Sequence, residues 1–308
     1  MYRDLLVGST GFVGGNLRAN HTFAAVCHSS DIAAQYGTQP DLCVYAGVPA
    51  AMFLANADPE ADMEVMRTAR ENLRKIAPKS LVLISSIAVF ADSRGRCEDD
   101  APDTDGLPAY GRNRLQLEQW VREDFNDALI VRLPALYGAG LKKNFLFDLH
   151  TITPAMLKPE KYNELAKKMP LVKTGYTLAD NGFYKLNGTA DKTALKDFFA
   201  GNDFNALAFT DSRSRYQFYN LGRLWQDIEA ARAAGLTMLH LCTPPISAAE
   251  VYTAVTGKAD WTNELPKSPF DYDLRSRYAV VLGGSGDYLC TKEEELNDVT
   301  HFLREWRD

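Results

Sequence analysis

The sequence predicts an α/β fold, with a doubly wound parallel sheet in its first half and a smaller C-terminal region. Two observations predict the sheet. A glycine-rich turn at residues 8–14 follows the apolar run 5–7 and leads into a helical segment. Uninterrupted apolar runs then alternate with amphipathic segments as far as about residue 140. A third observation predicts the smaller region, because this alternation weakens after Gly140.

Five apolar runs are the predicted strands. They are residues 5–7, 23–27, 42–45, 81–84 and 129–132. Strands that are apolar throughout are typical of a parallel sheet covered on both faces by helices. Between them, residues 63–76 and 114–125 have apolar side chains at helical spacing, with charged residues opposite.

The second half of the chain has a less regular pattern. Residues 151–210 mix Lys, Asn, Asp, Gly and aromatic residues without a clear period. We therefore predict a first domain at 1–150 and a mainly substrate-binding region at 151–308. The runs 238–242 and 278–282 predict strands that return to the main sheet or form a small second one. A capping-box spacing from Thr291 to Glu294 predicts the start of a C-terminal helix.

Composition excludes several classes of partner. Lys and Arg total 34 against 40 Asp and Glu, a net charge of −6 without a long basic run, which argues against nucleic acid. No apolar stretch approaches the roughly 20 residues that a membrane helix needs. The chain begins close to its first strand, which leaves no room for a signal peptide, so we expect a cytoplasmic protein.

The cysteines indicate reduced thiols rather than disulfides or a metal site. They are odd in number, widely scattered, and lack the paired spacing of zinc ligands. The five are Cys27, Cys43, Cys97, Cys242 and Cys290.

The glycine turn predicts a Rossmann-type dinucleotide site. Gly8 makes the tight turn, Gly11 admits the phosphates, and Gly14 lets the helix pack on the strand. Amide groups at the helix N-terminus then bind the pyrophosphate. Three glycines at this spacing also occur in ordinary strand-to-helix turns, but their place between a strand and a helix favours the nucleotide site. The predicted contacts are Gly8, Ser9, Thr10, Gly11, Phe12, Val13 and Gly14.

A second constellation predicts catalysis. Ser85 and Ser86 end the fourth strand, on the sheet edge where folds of this class bind ligands. Tyr110 and Arg114 lie four residues apart, on one face of the following helix. A serine at a strand end often only caps backbone, but the tyrosine at this spacing favours a catalytic Ser86 over Ser85.

Over its first 145 or so residues, the sequence resembles the extended short-chain dehydrogenase/reductase family. The resemblance rests on these motifs and on the run Arg132-Leu133-Pro134-Ala135-Leu136-Tyr137-Gly138. The resemblance implies that Tyr110 is the general acid/base and that Ser86 polarises the substrate carbonyl. A free phenol has a pKa of about 10, so a nearby cation must favour its ionised form. In the family, a lysine favours the ionised form of the tyrosine and also binds the nicotinamide ribose. This chain has Arg114, whose planar fork does not replace lysine unchanged.

The cofactor implied is NADP, with NAD as the alternative. The position that is acidic in many NAD enzymes falls at His28 or Ser29, and small hydroxyls there accommodate a 2′-phosphate. A shift of the alignment by two or three residues would make Asp31 the ribose ligand of NAD. The resemblance adds further cofactor contacts. These are Ala46, Gly47, Leu133, Tyr110 and Arg114.

Ile87 and Ala88 stand where the family's sugar dehydratases have an acidic pair, which argues against dehydration. Residues 30–46 resemble the compact segment of the dTDP-4-dehydrorhamnose reductases. The resemblance therefore implies reduction of a keto group on a nucleotide-activated sugar. Three alternatives stay open: an epimerase with tightly bound NAD, a non-catalytic dinucleotide-binding sensor or scaffold, and a reductase of a carbonyl without a nucleotide.

Two residues are candidate substrate contacts. Asn144 follows two lysines after the Tyr137-Gly138 turn, where related proteins contact substrate, although a solvated loop is equally consistent. Arg215 aligns with a diphosphate-binding arginine of the family, but Gly222 stands where the family has a later aspartate. Relatives commonly dimerise through the helices equivalent to 63–76 and 114–125, which implies a homodimer.

Overall fold

The computed structural model describes residues 3–306, so Met1, Tyr2, Arg307 and Asp308 lie outside the described residues. The chain divides into two compact units. The first, which we call the sheet unit, comprises Met1–Leu141, Tyr216–Ile246 and Asp271–Val299. The second unit comprises Lys142–Arg215, Ser247–Phe270 and Thr300–Asp308. The assignment of residues 151–308 to substrate binding stays a prediction.

The strands of the described chain are β1 Asp4–Val7, β2 Ala25–Cys27, β3 Leu42–Tyr45, β4 Leu81–Ser86, β5 Ala128–Leu133, β6 Ala135–Tyr137, β7 Met156–Leu157, β8 Tyr176–Leu178, β9 Tyr184–Leu186, β10 Arg215–Tyr216, β11 Phe218–Asn220, β12 Met238–His240 and β13 Ile246–Ser247. The α-helices are α1 Phe12–Asn20, α2 Met52–Ala57, α3 Pro59–Ile76, α4 Ala109–Asp124, α5 Phe145–Thr151, α6 Pro159–Lys168, α7 Leu171–Gly175, α8 Lys192–Ala200, α9 Leu224–Ala233, α10 Ala248–Thr256 and α11 Lys292–Glu305.

The sheet unit is built on a six-stranded sheet of order β12-β5-β4-β3-β1-β2. Every pairing in it is parallel. The predicted α/β fold with a Rossmann-type parallel sheet is therefore confirmed. The five predicted strands all lie in this sheet, and the run 238–242 supplies β12 at its edge.

The prediction of a strand at residues 278–282 is wrong. Ala279–Leu282 forms a 3₁₀ helix, in which Ala279 and Leu282 are buried while Val280 and Val281 are exposed. Two buried residues three apart match the 3₁₀ repeat rather than the alternation of a strand. A short apolar run does not separate these conformations in sequence.

Helices cover both faces of the six-stranded sheet. On one face, alternate strand residues such as Leu6 and Val44 pack with Leu17 of α1 and Ile228 of α9. On the other face, their sequence neighbours pack with α3 and α4. Alternate residues of each strand face two different hydrophobic cores, and these strands are therefore apolar throughout.

The C-terminal helix begins as predicted. The Thr291 amide and hydroxyl donate to Glu294 Oε2, and the Glu294 amide donates to Thr291 Oγ1. All five cysteines are free thiols. No helix within residues 3–306 combines the length and apolar content that crossing a membrane requires.

The second unit contains a small antiparallel sheet of order β7-β9-β8. Its hydrophobic core is formed by α6, α7 and α8 with these strands, and includes Leu165, Val172, Leu195 and Phe199. The irregular stretch 151–210 is therefore folded, although its strands of two or three residues are too short to show a period in sequence.

Candidate active site

The turn after β1 excludes a side chain at two of its three predicted glycines. Gly8 has a φ of +88°, and a Cβ atom on it would lie 2.4 Å from the carbonyl oxygen of Ala46. A Cβ on Gly14 would lie 2.1 Å from the carbonyl oxygen of Gly8. At Gly11 the corresponding distance to the same oxygen is 3.3 Å, which a small shift could relieve. The backbones of β1, α1 and the end of β3 thus approach as a dinucleotide-binding turn requires.

The N-terminus of α1 lies at the surface of this turn. Thr10 and Gly11 are exposed, and Phe12 and Val13 are half-buried. No side chain caps this helix end and no acidic residue lies in its first turn. Its partial positive charge is therefore not offset by a neighbouring carboxylate, which suits an anion. Ser9 is buried, and its amide donates to the Cys27 carbonyl oxygen at 3.1 Å.

The predicted adenosine-ribose position follows β2. The His28 amide donates to Asp31 Oδ1 at 2.8 Å, and His28 Nε2 lies 3.4 Å from Asp31 Oδ2. Ser30 Oγ is 2.8 Å from His28 Nδ1, and Ser29 is exposed. His28, Ser29 and Asp31 thus form one local cluster, so both alternatives for the ribose ligand lie at the same place.

The two serines that end β4 have different partners. Ser85 is buried, and its hydroxyl donates to Glu118 Oε1 at 2.5 Å. Ser86 is half-buried, and its Oγ accepts from the Ala88 amide at 3.2 Å, which caps the short 3₁₀ helix Ile87–Val89. A hydroxyl that accepts one hydrogen bond still has its own proton to donate. Ser86 is therefore the serine that can polarise a carbonyl.

Tyr110 lies in the first turn of α4, beside the end of β4. A Cβ on Gly111 would lie 1.9 Å from the Ala88 carbonyl oxygen, so helix and strand end are in backbone contact there. The Tyr110 amide donates to Asn56 Oδ1 at 2.9 Å. This bond caps α4, because Pro108 at the N-cap has no capping side chain. Within residues 3–306, the Tyr110 hydroxyl has no hydrogen-bond partner.

Arg114 is buried and stacks on Tyr110. Its guanidinium carbon lies 3.7 Å from the centroid of the tyrosine ring, which is within cation–π range. Nη1 donates to Asp62 Oδ2 at 2.5 Å and to the Tyr110 carbonyl oxygen at 3.2 Å. Nη2 donates to the Pro49 carbonyl oxygen at 2.6 Å. The guanidinium plane is thus fixed against the phenol by several acceptors.

A cavity of about 150 Å³ in the sheet unit brings most of the predicted site together. Its lining includes Val13 and Ala46 next to the glycine turn, and Ser86, Tyr110 and Arg114 from the second constellation. Leu133, at the end of β5, also lines it. Arg114 is the only charged side chain among the described residues of this lining. Gly47 is half-buried and follows Ala46 directly.

The two predicted substrate contacts both lie in the second unit. Asn144 is the N-cap of α5, and its Oδ1 accepts from the Phe147 amide at 3.1 Å. Its backbone has φ of +111° and ψ of 178°, a conformation rare outside glycine. Arg215 is exposed, and its amide donates to the Phe270 carbonyl oxygen. Their roles in substrate binding stay predictions.

Sequence reasoning missed a buried ionic network beside the site. Arg132 donates from Nη2 to Glu118 Oε2 at 2.6 Å and from Nε to Glu118 Oε1 at 3.0 Å. Its Nη1 lies 3.2 Å from His240 Nε2. Burial, reinforced by the positive charge of Arg132, lowers the pKa of His240 to about 3. An arginine within an apolar strand was the available signal, because such a residue requires a buried partner.

The hydrogen-bond directions assign the tautomer of His240. Arginine only donates, so Nε2 accepts, and Nδ1 therefore carries the proton that it donates to the Arg275 carbonyl oxygen at 3.0 Å.

Sequence reasoning also missed Asp62 and Asn56, which hold Arg114 and the start of α4. Both lie more than fifty residues from their partners.

Comparisons with known proteins bear on the family and the fold. The family model of the RmlD substrate binding domain matches residues 4–156. A dTDP-4-dehydrorhamnose reductase from Yersinia enterocolitica is similar in structure, with a TM-score of 0.64 and 14% identity over 99% of both chains. A dTDP-4-dehydrorhamnose reductase from Bacillus anthracis, solved in complex with NADP, has a TM-score of 0.60 and 16% identity over 99% of both chains.

A UDP-N-acetylglucosamine 4-epimerase from Methanobrevibacter ruminantium, solved with UDP-N-acetylmuramic acid, has a TM-score of 0.61 at 8% identity, covering 98% of this chain and 97% of that one. At these identities the solved structures establish the fold. No curated protein sequence matches the chain significantly.

Proposed function

Residues 4–156 belong to the RmlD substrate binding domain family, with the fold of the extended short-chain dehydrogenases/reductases, and on this premise we propose an NAD(P)-dependent oxidoreductase that reduces a keto group of a nucleotide-activated sugar. One observation carries the proposal. Ser86, Tyr110 and Arg114 line a single cavity with Val13 and Ala46, which adjoin the dinucleotide turn. A carbonyl beside a nicotinamide ring needs this combination of a proton donor, a hydrogen-bond donor and a nearby cation.

Each residue has a separate task in the proposed reaction. A reduced nicotinamide cofactor, when bound, supplies the hydride to the carbonyl carbon. Tyr110 donates its phenolic proton to the carbonyl oxygen, and Ser86 donates a hydrogen bond to the same oxygen. Arg114 holds a positive charge against the tyrosine ring, 3.7 Å from its centroid, where negative charge develops as the proton leaves. Tyr110 then regains a proton from solvent, and the product is the alcohol.

NADP is the proposed cofactor. The contacts of Gly8 and Gly14 fit a dinucleotide, because any side chain at either position would collide with the turn's own backbone. Exposed Ser29 leaves room for a 2′-phosphate. The reductase from Bacillus anthracis was solved with NADP. Asp31 supports the NAD alternative, because its carboxylate lies beside His28 and would accept a ribose hydroxyl but repel a phosphate.

An epimerase is the second candidate, favoured by the likeness to the epimerase from Methanobrevibacter ruminantium. It would use the same residues but would keep NAD tightly bound and regenerate it in each turnover. The distinguishing property is therefore net consumption of cofactor. Ile87 and Ala88 carry no proton-transferring group, which supports reduction or epimerisation over dehydration.

The first experiment is a titration of the purified protein with NADPH and with NADH, followed by nicotinamide fluorescence. An absorbance spectrum beforehand detects cofactor retained through purification. We expect exchangeable binding with NADPH preferred. Retained NAD would favour the epimerase, and binding of neither nucleotide would make the glycine turn a structural relic and leave a non-catalytic scaffold as the better hypothesis.

Turnover is tested with a panel of nucleotide-linked 4-keto sugars and simple ketones. Tyr110→Phe should abolish turnover while NADPH still binds, because only the phenolic proton donor is lost. An unchanged rate would remove Tyr110 from the mechanism. Reduction of simple ketones without nucleotide-sugar binding would replace the proposed substrate class.

The proposed contacts in the second unit have their own test. Arg215→Ala should weaken binding of a nucleoside-diphosphate sugar without changing NADPH affinity, and Asn144→Ala should do the same to a smaller extent. Light scattering during gel filtration tests the homodimer implied by the family.

A further inference from the structure

An acid from another helix holds Arg114. Asp62 lies in the first turn of α3, and its Oδ2 accepts both from Arg114 Nη1 at 2.5 Å and from Asn113 Nδ2 at 2.9 Å. The side chain of Arg114 is 5% exposed and that of Asp62 is 10% exposed. Asn113 and Arg114, which are successive residues of α4, thus both donate to Oδ2 of Asp62 in α3.

The hydrogen bonds of Arg114 divide its guanidinium into two sides. Both protons of Nη1 are used, by Asp62 and by the Tyr110 carbonyl oxygen, and Nη2 donates to the Pro49 carbonyl oxygen. Nε meets no acceptor among the described residues, although Arg114 lines the cavity. Asp62, the Tyr110 carbonyl oxygen and the Pro49 carbonyl oxygen thus accept three of the five guanidinium protons, and the Nε proton and the second Nη2 proton remain for a bound ligand.

The charge of Arg114 also requires a partner. A guanidinium buried to this extent is stable only when an acid compensates for the lost hydration. Asp62 is the carboxylate that contacts it. A lysine could not reproduce the arrangement, because its ammonium has no planar face to cover the Tyr110 ring while it donates to Asp62 and Pro49.

We propose that Asp62 is a positioning residue, which holds Nη1 of Arg114 so that Nε, beside the free Nη2 proton, serves the cofactor ribose in place of the family's lysine. This inference rests on the proposed function. It makes residues 62 and 114 one functional unit drawn from two helices.

The first test is nuclear magnetic resonance of the arginine Nε–H groups in the ¹⁵N-labelled, cofactor-free protein. The Arg114 signal is assigned by its loss in Arg114→Met. We expect Asp62→Asn to shift this signal and accelerate its hydrogen exchange, and Asp62→Glu to restore it at least in part. The same shift and exchange rate in Asp62→Asn as in the parent protein would overturn the inference.

The second test measures NADPH affinity in a double-mutant cycle. Asp62→Asn should weaken NADPH binding about tenfold, which corresponds to about 1.4 kcal/mol. In the Arg114→Met background the same change should alter affinity less than twofold, because Asp62 acts through Arg114. Equal losses of affinity in both backgrounds would reduce Asp62 to a structural role.

Glu60→Gln is the matched control. Glu60 is also in the first turn of α3 and also contacts an arginine, Arg67, but the pair is exposed. It should change neither NADPH affinity nor the Arg114 signal. NADPH should shift the Arg114 signal of the parent protein, and binding without that shift would contradict the ribose role. If the parent protein binds neither NADPH nor NADH, the proposed function fails, while the signal in the cofactor-free protein still decides whether Asp62 positions Arg114.

Discussion

The carbonyl oxygen of Ala88 occupies the place that a side chain at Gly111 would need, since a Cβ there would lie 1.9 Å away. This contact joins the 3₁₀ helix Ile87–Val89, which directly follows Ser86, to the helix turn that carries Tyr110. The proximity of the two proposed catalytic residues thus depends on the absence of a side chain between them.

Gly111→Ala should therefore separate α4 from β4. We expect the free energy of unfolding to fall by about 1–3 kcal/mol, the usual cost of overpacking. Turnover should fall by more than the fraction of unfolded protein explains. Denaturant unfolding and kinetics on the same samples test this. Gly15→Ala is the control, because Gly15 lies in α1 with no atom within 4 Å of a Cβ, and this change should be neutral or stabilising.

Asp31 should control the choice between the two cofactors. Removing its charge with Asp31→Asn should raise the ratio of NADPH to NADH affinity about fivefold, because two charges about 4 Å apart in water repel by about 1 kcal/mol. Fluorescence titrations at constant ionic strength measure the ratio. Glu71→Gln changes the net charge equally on an exposed part of α3 and should leave the ratio unchanged. An unchanged ratio in Asp31→Asn would place the 2′ position elsewhere.

The buried pair of Glu118 and Arg132 should contribute strongly to stability. Glu118→Ala leaves the guanidinium of Arg132 buried without its carboxylate, so we expect a loss of about 3–5 kcal/mol. The double variant Glu118→Leu with Arg132→Met should recover most of it, because neither charge remains. Urea unfolding of both variants measures this. A loss below 1 kcal/mol in Glu118→Ala would contradict the pairing.

Glu295 should make stability fall as pH rises. Burial raises its pKa to about 8, despite hydrogen bonds to Oε1 from the Phe218 amide and the Thr243 hydroxyl. Its Oε2 is buried and has no partner in the described chain. The folded protein therefore keeps a proton that the unfolded chain releases above about pH 4.5, and this stabilisation is lost as pH rises towards 8.

Glu295→Gln should abolish this contribution while it keeps the acceptor for Phe218. Between pH 5 and 7.5, the slope of unfolding free energy against pH should become more positive by about 1.4 kcal/mol per pH unit. Denaturant unfolding at several pH values gives the slope. Glu293→Gln, at an exposed position of the same helix, is the control. Parallel slopes for Glu295→Gln and the parent protein would show that Glu295 is ionised throughout.

The sequence predicted the sheet unit well, because its strands are short, apolar and bounded by polar residues. The glycine turn, Ser86 and Tyr110 could be singled out in the sequence because each proposed role demands one residue type at one spacing. The cavity unites Ser86, Tyr110 and Arg114 with residues beside the turn, as the order of the strands requires.

The partners that hold these residues were not predictable in the same way. Asp62 is one of several acids in α3 and has the pattern of a solvated helix face, yet its partner lies 52 residues away. Residues 278–282 were assigned to a strand because exposure of Val280 and Val281 follows from the tertiary fold. The strands of the second unit span two or three residues each, too few for a period to be visible.

The ion pair between Arg114 and Asp62 also has an evolutionary consequence. Lysine and arginine carry the same charge, so an exchange at position 114 changes the acceptors that the side chain reaches rather than the charge that is buried. Because Nη1 of Arg114 donates to Asp62, arginine at position 114 is expected to occur together with an acid at position 62. Relatives with arginine in this motif should have an acid in the first turn of the helix equivalent to α3, and relatives with lysine should lack that constraint. This covariation gives a sequence signature by which the arginine lineage can be separated from the rest of the family.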